Sequence, residues 1–320
     1  MPDRYASKDT AMRTFHLLLI QSVMVTILIA CSYTHPANAK STETTSRPDK
    51  APLVNGPRSP EGLQIILGTG DLGVGINRFA FVITSPKGFI TKSSVGVTAR
   101  FMPHEGKSAE IEQQAEAFYQ PWPYGNRGMY TTNLEFDRQG TWKAVITVPR
   151  STGVFHKADL IFQVNPVTTA PAIGERAIGS LTRTLADVES LSELSTGSLQ
   201  DEDLYKIPLG QAIKSGLPTV AVFASPAFCS NAVCGPQVEI LQQLKDLYNN
   251  QAHFIHIDFY ENPQEIQGDL DKARISPAVL EWSLPSIEWT FVINNSGIIA
   301  ARFEGFATLD EISEALKPFL

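Results

Sequence analysis

The stretch FASPAFCSNAVCGPQVEIL (223–241) carries Cys229 and Cys234, two of the chain's three cysteines. Two sulfurs this close can exchange a disulfide with client thiols, hold a soft metal ion, or staple a loop. On a single helix they would lie roughly 140° apart, too far round to bond. Cys229 is therefore expected in a loop and Cys234 at the start of the helix that Gly235-Pro236 opens. Unsatisfied N–H groups and the positive dipole end there can draw a thiol pKa down from about 8.5 toward neutrality. On that ground Cys234 is expected to attack and Cys229 to resolve. A staple closing so short a loop stabilises by only ~2 kcal/mol in the chain-entropy model.

The third cysteine belongs to an address. From Met12, MRTFHLLLIQSVMVTILIAC has a short basic start and an apolar run to Ala30, the layout of an export signal. LIAC (28–31) has the form of a bacterial lipobox, which makes Cys31 the acylated first residue of the mature chain and predicts a lipid anchor in the cell envelope. ANA (37–39) is the competing ordinary cleavage site, and an uncleaved anchor is the third reading. Residues 1–31 are thus read as signal, and the Ser/Thr/Pro-rich residues 32–60 as a disordered tether. Acylation or cleavage removes Cys31 from thiol chemistry. In an oxidising compartment Cys229 and Cys234 are then expected to pair.

The rest of the chain must position those sulfurs. With 320 residues, of which 43% are hydrophobic, there is enough apolar material for two cores. The net charge of −7, with no basic run, argues against nucleic acid as a partner. In residues 61–166 period-two alternation recurs: YTTNLEF puts Tyr130, Thr132, Leu134 and Phe136 on one face, and WKAVITV does the same with Trp142, Ala144, Ile146 and Val148. LQIILG, RFAFVIT, VGVTARF and ADLIFQV add further strands. Six or seven strands at this spacing predict an all-β immunoglobulin-like sandwich. The order Tyr130, Phe136, Gly140, Trp142 resembles the end of small sandwich domains of bacterial envelope proteins. Residues 167–204 lack a long apolar period and are expected to form a connector with little regular structure.

Residues 205–320 alternate strands with helices: PTVAVFAS, the stripe Val238, Leu241, Leu244, Leu247 and Tyr248, then HFIHIDFY, a polar helical stretch, WTFVI, IIAARFEGF and a final helix capped by Thr308 with Glu311. With VAVFASPAFCSNAVCGPQVEIL, this resembles the thioredoxin superfamily, and the resemblance implies an α/β thioredoxin-like domain. Three positions depart from the family's pattern. Gln237 stands where the motif has its second cysteine, Val222 where it has a buried acid, and the cis-proline position falls on Glu288 or Trp289, the nearest proline being Pro285. Pro285, Glu288 and Trp289 are the expected substrate loop, with Trp282 beside it.

The resemblance implies redox chemistry on the thiols and disulfides of envelope proteins, catalysed by Cys234 and Cys229, with an external electron partner and no cofactor. Two other readings stay open: a non-catalytic envelope binding module with a structural disulfide, and a copper-handling assembly factor. The second loosely resembles copper-delivery proteins of respiratory-oxidase assembly, which add a later histidine, whereas no histidine follows His256 here. His253 and His256 fall on opposite faces of one strand and cannot chelate together. Met102, His104 and Met129 are scattered soft donors that read as packing and surface, so no metal site is assigned. GTGDLGVG (68–75) lacks the Lys-Ser/Thr ending of a phosphate loop.

Overall fold

Alternation of apolar and polar residues drives the first half of the chain into strands. The computed structural model describes residues 53–103, 112–149, 153–198, 201–229 and 233–320. Cys31, the export segment and His104 lie outside them. Strands β1 (Gln64–Leu67), β2 (Gly75–Ser85), β3 (Gly88–Phe89), β4 (Ser94–Phe101), β5 (Glu112–Pro121), β6 (Gly128–Phe136), β7 (Gly140–Pro149) and β8 (Phe155–Val164) form one antiparallel sheet. Its order is β1-β2-β6-β5-β4-β7-β8, with β3 paired to β2. As the alternation requires, Trp142, Ala144, Ile146 and Val148 are all buried.

This sheet curls until its ends meet. Asn165, just past β8, donates its N–H to the Leu72 carbonyl (2.9 Å) and accepts the Val74 N–H (3.1 Å). Gly56, ahead of β1, lies so close to β8 that a Cβ there would come within 2.2 Å of the Asp159 carbonyl oxygen. The result is a nearly closed barrel whose interior holds Phe79, Phe81, Tyr130, Phe136, Trp142 and Phe162.

The remaining strands form a second, smaller sheet. β9 (Thr219–Ala224) pairs parallel with β10 (His253–Asp258) and antiparallel with β11 (Trp289–Ile293), which pairs antiparallel with β12 (Ile299–Glu304). All six residues of β9 are buried, so its near-continuous apolar run reads as a strand covered on both faces. The helices are α1 (Leu209–Ala212), α2 (Cys234–Leu247), α3 (Pro263–Ile266), α4 (Pro277–Glu281) and α5 (Leu309–Leu316). Thr308 caps α5 with Glu311 completing the reciprocal box, as its sequence predicts.

The expected fold class, an immunoglobulin-like sandwich followed by a thioredoxin-like α/β domain, is overturned. Strands that a sandwich would divide between two facing sheets are hydrogen-bonded in a single curled path. Among the described residues strands outnumber helices, and of the helices in the second half only α2 and α5 exceed five residues. The stretch read as helical between β10 and β11 breaks into single turns. Pro263 and Pro277 start new turns there, and Gln267 takes a left-handed conformation (φ 44°) that ends α3.

Residues Ser46–Leu320 form one compact unit. Across its middle, Arg302 of β12 pairs with Asp71 (2.8 Å), and Arg78 of β2 pairs with Glu311 of α5 (2.9 Å). Ala80 and Met129 of the curled sheet join the core of the smaller one. Residues 167–204 hold, among those described, short 3-10 turns and an isolated bridge from Arg176 to Ile298. They are nonetheless well packed, with Ala170, Ala177, Leu194 and Leu204 buried and Ala177 donating to Gly297 (2.9 Å).

Candidate disulfide site

Cys229 and Cys234 are joined by a disulfide, with their Cα atoms 5.8 Å apart. Cys229 sits in the loop that leaves β9, and Cys234 is the first residue of α2, as the spacing argument demands. Val233, the residue before the helix, gives no side-chain cap, so the first N–H groups of α2 receive no side-chain oxygen from it. The two sulfurs differ in access: Cys234 is 0% exposed, whereas Cys229 is only partly buried.

Glu288 reaches the pair from another element. The register that pairs Trp289 with Phe223 brings the residue before β11 to the end of β9, where the cysteine loop departs. Glu288 is 2% exposed, and its carboxylate and the two Sγ atoms all lie within 4.8 Å of one another. Of the three residues expected in a substrate loop, Glu288 thus lies beside the sulfurs. Trp289 is fully buried, donating from Nε1 to Ser286 Oγ (3.1 Å) beneath the Arg302 guanidinium, and Pro285 is partly exposed. Trp282 packs inside, against Phe223 and Phe291. Gln237 uses its buried amide oxygen to accept the Ala307 N–H (2.8 Å), tying α2 to the approach of α5.

Sequence reasoning missed the polar brace under the loop. Asp258, at the end of β10, accepts from the Thr196 N–H (2.7 Å), the Thr196 hydroxyl (2.9 Å) and the Tyr260 N–H (3.0 Å). Thr196 Oγ1 also lies 3.0 Å from Ser225 Oγ and accepts the Ala227 N–H (3.2 Å), so the connector pins the base of the cysteine loop. The only sequence signal was Asp258 two residues after His256, hence on the same strand face. His256 Nε2 donates to the Ala224 carbonyl (3.1 Å), which leaves Nδ1 to accept the Tyr205 hydroxyl (2.6 Å). Neither His256 nor His253, which contacts Ser215 Oγ (2.9 Å), meets the sulfurs in a metal-ligand grouping.

The brace has a pH signature. Burial raises the Asp258 carboxyl to about 6 and lowers the His256 imidazole to about 4. As pH falls from 6 toward 4, the folded state takes up a proton at Asp258 that the unfolded chain does not, which stabilises the fold. Over the same range the unfolded chain protonates its histidine while folded His256 stays neutral until about 4, which destabilises the fold. The two effects oppose each other and are of similar size. Asp258→Asn removes the first, so urea unfolding should show the variant losing about 2–3 kcal/mol more than the parent between pH 6.5 and 4. Parallel pH profiles for the two proteins would contradict this.

A cleft of about 930 Å³ lies along the seam, lined among others by Asp71, Arg78, Arg302, Glu304 and Glu311, and neither cysteine lines it. Among the described residues, no helix is long and apolar enough to cross a membrane. No family model matches the chain, and no curated protein matches it. One solved structure, the soluble domain of PmoD from Methylocystis sp. ATCC 49242 (Rockwell), aligns with 35% of this chain and 98% of its own length. Its identity is 14% and its TM-score 0.25, a likeness too slight to define a fold or a function.

Proposed function

We propose that this protein is an exported thiol–disulfide exchange protein of the cell envelope. It acts on envelope protein thiols through Cys229 and Cys234 and is held at the membrane through Cys31. The observation that carries the reading is the unequal setting of the two cysteines: Cys229 is partly exposed, whereas Cys234 is buried at a helix N-terminus.

That inequality reverses the order expected from the helix dipole alone. A client thiolate attacks Cys229 Sγ, the Cys229–Cys234 bond breaks, and Cys234 leaves as a thiolate favoured by the N–H groups of α2. A second client thiolate then attacks the client sulfur of the mixed disulfide. Cys229 departs as a thiolate, the client gains a disulfide, and the site ends as a dithiol. An external disulfide of the electron partner restores it, and every step runs backwards when the client is the oxidised species. The dipole therefore makes Cys234 a leaving and resolving group, while access makes Cys229 the point of attack.

Incubated with an oxidised client protein, Cys234→Ser should accumulate a mixed disulfide through Cys229, at least tenfold above the yield from Cys229→Ser. Equal yields would contradict the order of attack. If neither variant traps any client, the disulfide is a staple and the binding-module reading takes its place.

A further inference from the structure

We infer that the reduced site is also a metal centre, in which Cys229, Cys234 and Glu288 bind a divalent thiophilic ion of the zinc class. Opening the disulfide breaks the S–S bond, takes two electrons from an external thiol reductant that is itself oxidised, and places two protons on the sulfurs. Both protons are released when the ion binds. The site then offers two thiolates and a carboxylate from two separate elements, the start of α2 with its loop and the entry to β11, and in the disulfide form these three donor groups already lie within 4.8 Å of one another.

The donor set selects the ion. Zinc takes sulfur and carboxylate oxygen together, in tetrahedral sites with ligand distances of about 2.0–2.3 Å. Cu(I) is satisfied by soft thiolates and gains little from a carboxylate. Charge points the same way: three anionic donors at a site where Glu288 is 2% exposed call for a dication, which leaves one residual negative charge where a monocation would leave two. Partly buried Cys229 marks the open side, where water would complete four ligands. The inference needs only that the pair can be reduced, and does not depend on exchange with clients.

The full chain, reduced under anaerobic conditions, is titrated with Co(II) and with Zn(II) against a chromophoric chelator. One equivalent should bind, with thiolate-to-cobalt absorption, and the oxidised chain should bind none. Glu288→Gln should weaken Zn(II) binding at least tenfold while leaving Cu(I) binding unchanged. Absence of thiolate-to-cobalt absorption in the reduced parent would overturn the inference without any variant having to fold. Zn(II) binding unaltered by Glu288→Gln would overturn the three-donor site. A chain that binds zinc but traps no client refutes the exchange reading alone, and one that traps clients but binds no zinc refutes this inference alone.

Discussion

Asp71→Ala is expected to lower the unfolding free energy by about 3–5 kcal/mol, the usual cost of removing one partner from a buried ion pair. The Asp71 side chain is 1% exposed and that of Arg302 is 12% exposed, so the guanidinium cannot recover its hydration when its partner goes. One carboxylate also serves three donors: the Thr169 N–H (2.7 Å), the Ala170 N–H (2.9 Å) and Arg302 Nη2 (2.8 Å). Alanine leaves all three without it. Domains of ordinary stability hold 5–15 kcal/mol in total, so the change should move a urea midpoint far outside experimental error. Arg302→Met in the Asp71→Ala background should recover part of the loss, because it removes a buried charge that has lost its carboxylate and keeps only backbone carbonyl partners, and it keeps contact with the Trp289 ring, over which the guanidinium lies at 4.8 Å. A cost below about 1 kcal/mol would mean that the Asp71–Arg302 pair is solvated and contributes little to holding the two sheets together.

This seam also marks where the sequence stops being readable. Asp71 and Arg302 lie 231 positions apart, and no local period brings them together. Local signals were legible: alternation placed β6 and β7, the capping box placed α5, and the angular argument put Cys229 in a loop and Cys234 at a helix start. β5 was missed because it opens with EQQAEA, residues of good helix propensity, and its strand state comes from pairing with β4 and β6. Whether eight strands split into two sheets or curl as one depends on which edges meet, as Gly56 and Asn165 do with their partners, and alternation is the same in both cases. At the site, counting back from the turn at Gly297 reached Glu288, but only the β9–β11 register shows that it faces the sulfurs. The reach of Thr196 beneath the cysteine loop left no local pattern at all.

On the function proposed above, Cys229–Cys234 is a disulfide made to be exchanged. Its reduced form is favoured on one side by the helix N-terminus, which stabilises a thiolate on Cys234. The buried Glu288 carboxyl group lies beside both sulfurs. Exchange proteins work at potentials of about −120 to −270 mV, whereas structural disulfides of secreted proteins sit below about −300 mV. The measurement is equilibration of the full chain in graded thiol–disulfide buffers, with the oxidised and reduced fractions counted by alkylation. The account predicts a potential between about −120 and −270 mV. A potential below about −300 mV would contradict it and leave the two cysteines as a staple.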